Sequence, residues 1–265
     1  MRTGIIIDID PTFFSSGPVI IRWYGLMISV AILAGVLLAV REASRRGISE
    51  NDVLSLALWG VPAGMIGARL FHVIDAWDYY STYPLQILAF QEGGLAIYGA
   101  LAGGLLAGAL AARRKHLLSW GLLDVAAPCL ILGEAIGRIG SFINGDGQGV
   151  PSSLPWATSY IHPGNLAPDS QPRQPVQIYE MIYDVLLFGL LLLVRRRLKR
   201  DGVLFAIYAG IYAFGRFWLS MLREGTPFVT GLREAQVISV LVFVAAVPLA
   251  VYLWQRPLRV TSSEC

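Results

Sequence analysis

Six arginines sit where a membrane protein least tolerates them: Arg22, Arg69, Arg138, Arg216, Arg223 and Arg233 all fall within or at the ends of long apolar stretches. An arginine at the centre of a spanning helix costs about 2.5–3.5 kcal/mol on insertion scales. Snorkelling to the headgroups accounts for Arg22, Arg223 and Arg233, but not for Arg216, which lies deeper. Arg22, Arg69, Arg138 and Arg216 all fall in the same half of the membrane, at a depth where the available anion is a phospholipid headgroup. Guanidinium presents a planar fork of donors that matches phosphate. Carboxylates accompany these arginines. Glu134 and Arg138 stand i,i+4 in the favourable order and are expected to pair. Glu180 and Asp184 lie one turn apart on another apolar stretch, and acids buried in a bilayer are paired or functional. Tyr24, Tyr98, Tyr179 and Tyr212 share the same half; an interfacial belt explains Tyr24 more easily than Tyr212.

The elements that must hold these groups are helices. Of 265 residues, 55% are hydrophobic and 15% charged, with mean hydropathy +0.58. A soluble domain carries about 25% charged residues. A helix needs about 20 apolar residues to cross the hydrocarbon. Seven such spans are predicted near Val19–Val40, Val53–Ile74, Gly93–Ala112, Leu117–Gly140, Pro175–Val194, Val203–Leu222 and Arg233–Trp254; the third is rich in glycine and the fourth contains Pro128. One set of connections and the tail carry 13 basic residues, in the runs Arg41–Arg46, Arg113–Lys115, Arg195–Arg200 and Arg256–Arg259. The opposite set carries only Arg2 and Arg173. The bias places the basic set in the cytoplasm. The expectation is an all-α, polytopic single integral membrane domain, N-terminus out and C-terminus in, with residues 141–174 forming an outward loop or small cap. Glycines at four-residue spacing (Gly99/Gly103, Gly104/Gly108, Gly133/Gly137) predict close helix packing.

Other chemistries lack their signatures. His72, His116 and His162 are scattered and form no metal-ligand set, and no cofactor is implied. There is no phosphate-binding glycine loop before a Lys-Ser/Thr pair and no Gly-x-Ser-x-Gly elbow. The basic residues follow membrane topology rather than a nucleic-acid-binding stripe. Cys129 and Cys265 are expected to remain unpaired. The first eighteen residues, with Asp8, Asp10 and Pro11, do not read as a cleaved signal peptide.

The segment Gly137-Arg138-Ile139-Gly140-Ser141-Phe142-Ile143-Asn144-Gly145-Asp146 resembles the signature of the bacterial prolipoprotein diacylglyceryl transferases. Further matches occur in the family's order: Arg22-Trp23-Tyr24-Gly25, Gly67-Ala68-Arg69-Leu70, Gly93 through Gly99, Gln174 through Glu180, Gly215-Arg216-Phe217-Trp218 with Leu222-Arg223, and Glu234-Ala235-Gln236. The resemblance spans roughly residues 15–245. It implies a seven-span inner-membrane enzyme that moves the diacylglyceryl group of phosphatidylglycerol to the lipobox cysteine of prolipoprotein signal peptides. It implies catalytic roles for Arg138, Arg216, Tyr98 and Asp146, and substrate-binding roles for Tyr24, Arg69, Ser141, Asn144, Gly149, Glu180, Tyr212 and Arg223. The sequence departs from the family pattern at three positions: Tyr98 where histidine is frequent, Ser141 where asparagine is usual, and Ser220 where glutamate is usual. Those departures leave a second reading, a paralogue that binds anionic phospholipid without turnover or with an altered substrate. His72, close to Arg69, could supply the base that Tyr98 does not; an interfacial histidine is the plainer account.

Overall fold

Seven helices of 18 residues or more carry the chain in the computed structural model, which describes residues 4–17, 19–88, 96–117, 119–168, 171–224 and 231–256. They are α1 (Trp23–Ser44), α2 (Glu50–Asp75), α4 (Ile97–Arg114), α5 (Trp120–Asn144), α6 (Val176–Val194), α7 (Val203–Met221) and α8 (Glu234–Gln255), with a short α3 (Trp77–Thr82) followed by a 3-10 turn at Pro84–Leu88. Four short strands accompany them: β1 (Ile5–Ile7), β2 (Thr12–Ser16), β3 (Val19–Arg22) and β4 (Thr158–Tyr160). The chain is therefore mostly helical rather than strictly all-α. Among the described residues, α1, α2, α6, α7 and α8 are long and apolar enough to cross a membrane by length and composition. Their outward apolar side chains agree: Leu193 is 74% and Leu241 65% exposed, surfaces that hydrocarbon tolerates and water does not. The chain is a polytopic membrane protein.

The first span begins later than its apolar run. Val19–Arg22 is extended, as β-branched Val19, Ile20 and Ile21 favour. The Trp23 N–H donates to the Pro11 carbonyl at 2.9 Å, and the Phe13 ring meets the Trp23 ring edge-on at 4.8 Å. α5 runs unbroken through Pro128, which is fully buried.

By its contacts the chain divides into two units: Met1–Ser15, Ile21–Gly35 and Leu123–Cys265; and Ser16–Ile20 with Val36–Leu122. In the second unit, α2 and α4 touch backbone to backbone. A Cβ on Gly67 would strike the Gly99 carbonyl oxygen, and one on Gly103 would strike that of Ala63. The Gly99/Gly103 pair thus makes the close packing expected of it, whereas a Cβ on Gly108 would meet open space.

In the first unit, Ala127 and Ile131 of α5, Leu187 and Leu191 of α6 and Leu204 of α7 form a buried apolar cluster. α5 also meets the first half of α1 through a glycine stripe: a Cβ on Gly140 would lie 3.1 Å from the Tyr24 Cα and from the Met27 Cβ, and one on Gly137 3.8 Å from Ile28. Asp124, 2% exposed, ties α5 to the start of α7: its Oδ2 accepts from the Gly202 N–H and its Oδ1 from the Phe205 N–H, both at 2.8 Å. These N–H groups begin a helix and have no intrahelical acceptor. The cap is supplied from a different helix, since α7 has no side-chain cap of its own.

Replacing Asp124 by alanine is expected to cost about 1–2 kcal/mol, the usual worth of a lost N-cap. Thermal melting of purified protein should show a lower Tm for Asp124→Ala, with Asp124→Asn retaining part of the difference.

Candidate functional site

Three guanidinium groups converge on one carboxylate. Glu180, 2% exposed in the second turn of α6, receives Arg138 from α5, Arg216 from α7 and Arg223 from just beyond α7. Arg138 Nη1 lies 3.0 Å from Glu180 Oε2 and Arg223 Nη2 donates to the same oxygen at 2.7 Å, while Arg216 Nη1 donates to Oε1. Arg138 Nη2 also donates to Glu134 Oε1 at 2.6 Å, and the Tyr212 hydroxyl donates to that oxygen at 2.9 Å. The expected Glu134–Arg138 pair is present, inside a larger network. Arg223 is not a snorkelling residue: its head group turns into this network. Arg22, by contrast, is exposed at the end of β3.

The network is not saturated. The Nε of Arg138 and the Nε of Arg223 are both buried without a hydrogen-bond partner among the described residues. Buried N–H groups left unmet cost about 1–3 kcal/mol each, so the cluster presents two donors in want of an acceptor. One turn deeper on α6, Asp184 is 2% exposed and its Oδ2 is likewise unpartnered among the described residues.

The chain after α5 is folded against the same cluster. The Ser141 carbonyl accepts from the N–H groups of Gly145 and Asp146, which closes the helix end. Asn144 Nδ2 donates to Asp146 Oδ2 at 3.2 Å, and Gln177, fully buried on α6, donates through Nε2 to the Asp146 carbonyl. Gly147 has φ +67, and a Cβ there would lie 3.0 Å from Arg223 Nη2. Gly149 bridges antiparallel to Arg223, and a Cβ on it would meet the Leu222 carbonyl and the Val176 side chain at 2.6 Å. Glycine at 147 and 149 therefore lets the strand-like segment lie flat along Arg223. Gly215 does the same for Tyr183, whose ring occupies the space a Cβ would take and whose hydroxyl donates to the Ile211 carbonyl at 2.5 Å.

The segments 145–168 and 171–174 are anchored at several points. β4 pairs in parallel with β1, Ile5 opposite Thr158, and Arg173 bridges to Pro151 and Thr158. The Tyr160 hydroxyl donates to the Phe142 carbonyl at 2.5 Å. Burial, and secondarily the Asp146 carboxylate, pushes the Tyr160 phenol above its ordinary range, so it remains a neutral donor.

Of the residues singled out by sequence, Arg138, Glu180, Arg216, Arg223 and Tyr212 meet in one network, with Ser141, Asn144, Asp146 and Gly149 in the segment beside it. Tyr24 packs on Gly140 of the same helix as Arg138. Arg69 belongs to the second unit, where its Nε donates to the Ile87 carbonyl at 2.9 Å, its Nη2 to that of Gln86, and its guanidinium lies 5.3 Å from the Tyr80 ring centroid. His72 stacks edge-on against Tyr80 at 5.9 Å. The Tyr98 side chain, the Gly93–Leu95 part of its motif and Cys265 lie outside the described residues. Ser220 is buried, its Oγ donating to the Phe217 carbonyl at 2.7 Å and its own carbonyl accepting from Arg233. Sequence reasoning assigned no role to Gln177, Gly147 or Tyr183. Only Gln177 carried a signal, as an amide in the first turn of an apolar helix.

The chain as a whole is similar to known proteins. The family model for prolipoprotein diacylglyceryl transferase matches residues 11–252. A phosphatidylglycerol–prolipoprotein diacylglyceryl transferase from Limosilactobacillus reuteri is 36% identical over 257 residues, covering 93% of this chain and 92% of the relative. One of the same name from Geobacillus kaustophilus is 39% identical over 246 residues, covering 91% of each, and one from Clostridioides difficile is 36% identical over 255 residues, covering 96% of this chain and all of the relative.

Removing the shared carboxylate leaves three cations facing one another. Glu180→Gln is expected to lower the Tm in neutral detergent, and anionic phospholipid should raise the Tm of the variant by several degrees more than that of the wild type. Equal shifts for both proteins would mean that the cluster does not accept an external anion.

Proposed function

Given that the chain belongs to the prolipoprotein diacylglyceryl transferase family, we propose that it transfers the diacylglyceryl group of phosphatidylglycerol to the lipobox cysteine of prolipoproteins, with the Arg138–Arg216–Arg223 cluster holding the lipid phosphate. The observation that carries this is the triple convergence on Glu180 together with the two unmet Nε–H groups. Glu180 holds three like charges in one place before substrate arrives, and the phosphate then takes the spare donors and shares the rest.

The chemistry follows. The cysteine sulfur forms a bond to the glyceryl carbon while the carbon–oxygen bond to phosphate breaks. The electron pair leaves with glycerol phosphate, and charge grows on an oxygen already beside fixed cations. Donors aimed at developing charge in a water-poor site lower the barrier most, because nothing has to reorganise. The thiol, with a reference pKa near 8.5, is only a few per cent thiolate at neutral pH. The same positive field raises that fraction, and the thiol proton passes to water. Asp146 completes the catalytic set of the first unit in this reading, and Tyr98 keeps the catalytic role that the family resemblance implies. Tyr24, Ser141, Asn144, Gly149 and Tyr212 surround the lipid or shape the segment over it; Arg69, in the second unit, keeps the substrate-binding role that the family resemblance implies.

The topology that fits is a single integral membrane domain of seven spans in the cell inner membrane, N-terminus out, with residues 141–174 as an outward cap and the active site on the extracytoplasmic side. Support comes from the 13 basic residues on one set of connections against two on the other, and from the seven long helices. The non-catalytic alternative draws on Tyr98, Ser141 and Ser220. Against it, the three guanidinium groups share the Glu180 carboxylate without one from position 220.

Purified protein incubated with phosphatidylglycerol and a lipobox peptide should give a peptide heavier by one diacylglyceryl group and release glycerol phosphate, both read by mass spectrometry. Arg138→Ala should insert normally and lose at least about 100-fold in rate, the scale of removing one stabilising donor from a developing oxyanion. Full activity in that variant would remove the phosphate-clamp role. Phosphatidylglycerol binding without turnover in the wild type would favour the paralogue.

A further inference from the structure

At the far end of α6 from Glu180 lies a second cationic feature that the transfer reaction does not use. The turn between α6 and α7 carries Arg195, Arg196, Arg197, Lys199 and Arg200. Arg197, Leu198, Lys199 and Arg200 line a cavity of about 190 Å³ with Trp254 of α8. No carboxylate is among the lining residues.

The positive-inside rule explains why basic residues occur here, but it asks only for charge near the helix ends. It does not require fixed geometry, and this cavity has some. The Arg200 guanidinium lies 5.2 Å from the Trp254 ring centroid while its Nε donates to the Arg256 carbonyl at 3.1 Å. Arg256 in turn sits 4.5 Å over the Tyr252 ring, with Nη2 donating to the Tyr252 hydroxyl at 2.6 Å. Arg200 is thus held on the Trp254 ring that lines the cavity, and Arg256, whose carbonyl anchors it, is held on Tyr252. The terminal nitrogens of Arg200 and the side chains of Arg197 and Lys199 have no hydrogen-bond or ion-pair partner among the described residues. Three cations line one cavity that holds no carboxylate of its own, and a bound anion would relieve the repulsion among them.

We infer that this cavity binds the phosphate of an anionic lipid headgroup in the leaflet next to the Arg195–Arg200 turn, at a site separate from the Glu180 cluster. A lipid fits better than a free phosphate. Trp254, which lines the cavity, is more than half exposed and presents apolar ring surface there, and Leu193 in the last turn of α6, just before the basic turn, is exposed too. Aromatic rings at a helix end occupy the headgroup level, and basic pockets between helices there take phospholipid headgroups. The acyl chains would lie along those apolar surfaces. The site stands whether or not the transferase reading holds.

The test counts lipid bound to the full chain by native mass spectrometry, in an Arg138→Gln background that weakens the Glu180 cluster. The probes are phosphatidic acid, phosphatidylcholine and soluble glycerol phosphate. Phosphatidic acid should bind, and adding Arg197→Gln, Lys199→Gln and Arg200→Gln should weaken it roughly 100-fold, about fivefold per charge removed. Arg197→Lys with Arg200→Lys should keep binding within about tenfold, so that loss follows charge rather than misfolding. Independently of any variant, photoactivatable phosphatidic acid should label the 197–200 or 252–256 peptides of the wild type. Unchanged affinity in the triple glutamine variant, absence of label there, or equal binding of phosphatidylcholine would overturn the site. Displacement of phosphatidic acid by glycerol phosphate at equal concentration would overturn its assignment to a lipid.

Discussion

A carboxylate shared by three guanidinium groups is the constraint around which the first unit is arranged. A single buried ion is expensive, and even a buried pair returns its desolvation cost only with good geometry and further hydrogen bonds. Glu180 has that geometry because α5, α7 and the chain beyond α7 each deliver an arginine to it. Two of the guanidinium groups are in turn restrained elsewhere: Arg138 by Glu134, and Arg223 by the bridge to Gly149 and the flat surface of Gly147. The apolar cluster of Ala127, Ile131, Leu187, Leu191 and Leu204 holds the three helices at a spacing the ion pairs can span. Packing and electrostatics here enforce the same distances.

That arrangement explains how a cationic site survives in an apolar setting without substrate. Three arginines facing one another without a carboxylate would drive the helices apart. With Glu180 among them the resting state is held together, and the donors remain oriented for an incoming anion. Such preorganisation is what makes fixed charges effective on a transition state. In the Arg197–Arg200 cavity, Arg200 is given direction by Trp254 rather than by a carboxylate. Direction separates a binding group from a topology signal.

Much of the site was legible in the sequence because arginine in an apolar run is an anomaly that demands a cause. Arg138, Arg216, Glu180 and the Glu134 pairing all follow from that argument. What pattern alone does not reveal is which acid is shared. Glu180 and Asp184 are equivalent on paper, and only the crossing of α5, α6 and α7 selects Glu180. Arg69 and Arg138 look alike in sequence, yet Arg69 spends donors on the carbonyls of Gln86 and Ile87 because the chain after α3 turns back over it. The late start of α1 was hidden because Val19–Arg22 is apolar enough for a helix, and only its pairing partner makes it a strand. Asp124 went unremarked because an aspartate near a helix start has an ordinary local explanation. Its acceptors serve another helix nearly eighty residues away.

The Asp124 attachment bears on which changes in chain length the protein can absorb. α7 is clamped at both ends, its first N–H groups on α5 and its last turns, through Arg216 and Arg223, on α6. A helix advances 1.5 Å and turns by about 100° per residue. One residue inserted or deleted between Phe205 and Arg216 would swing the Arg216 side chain to another flank of the cylinder, and neither fixed end could rotate to compensate. The register of those ten intervening positions is therefore locked, while segments such as the turn at 195–201 can lengthen without disturbing it.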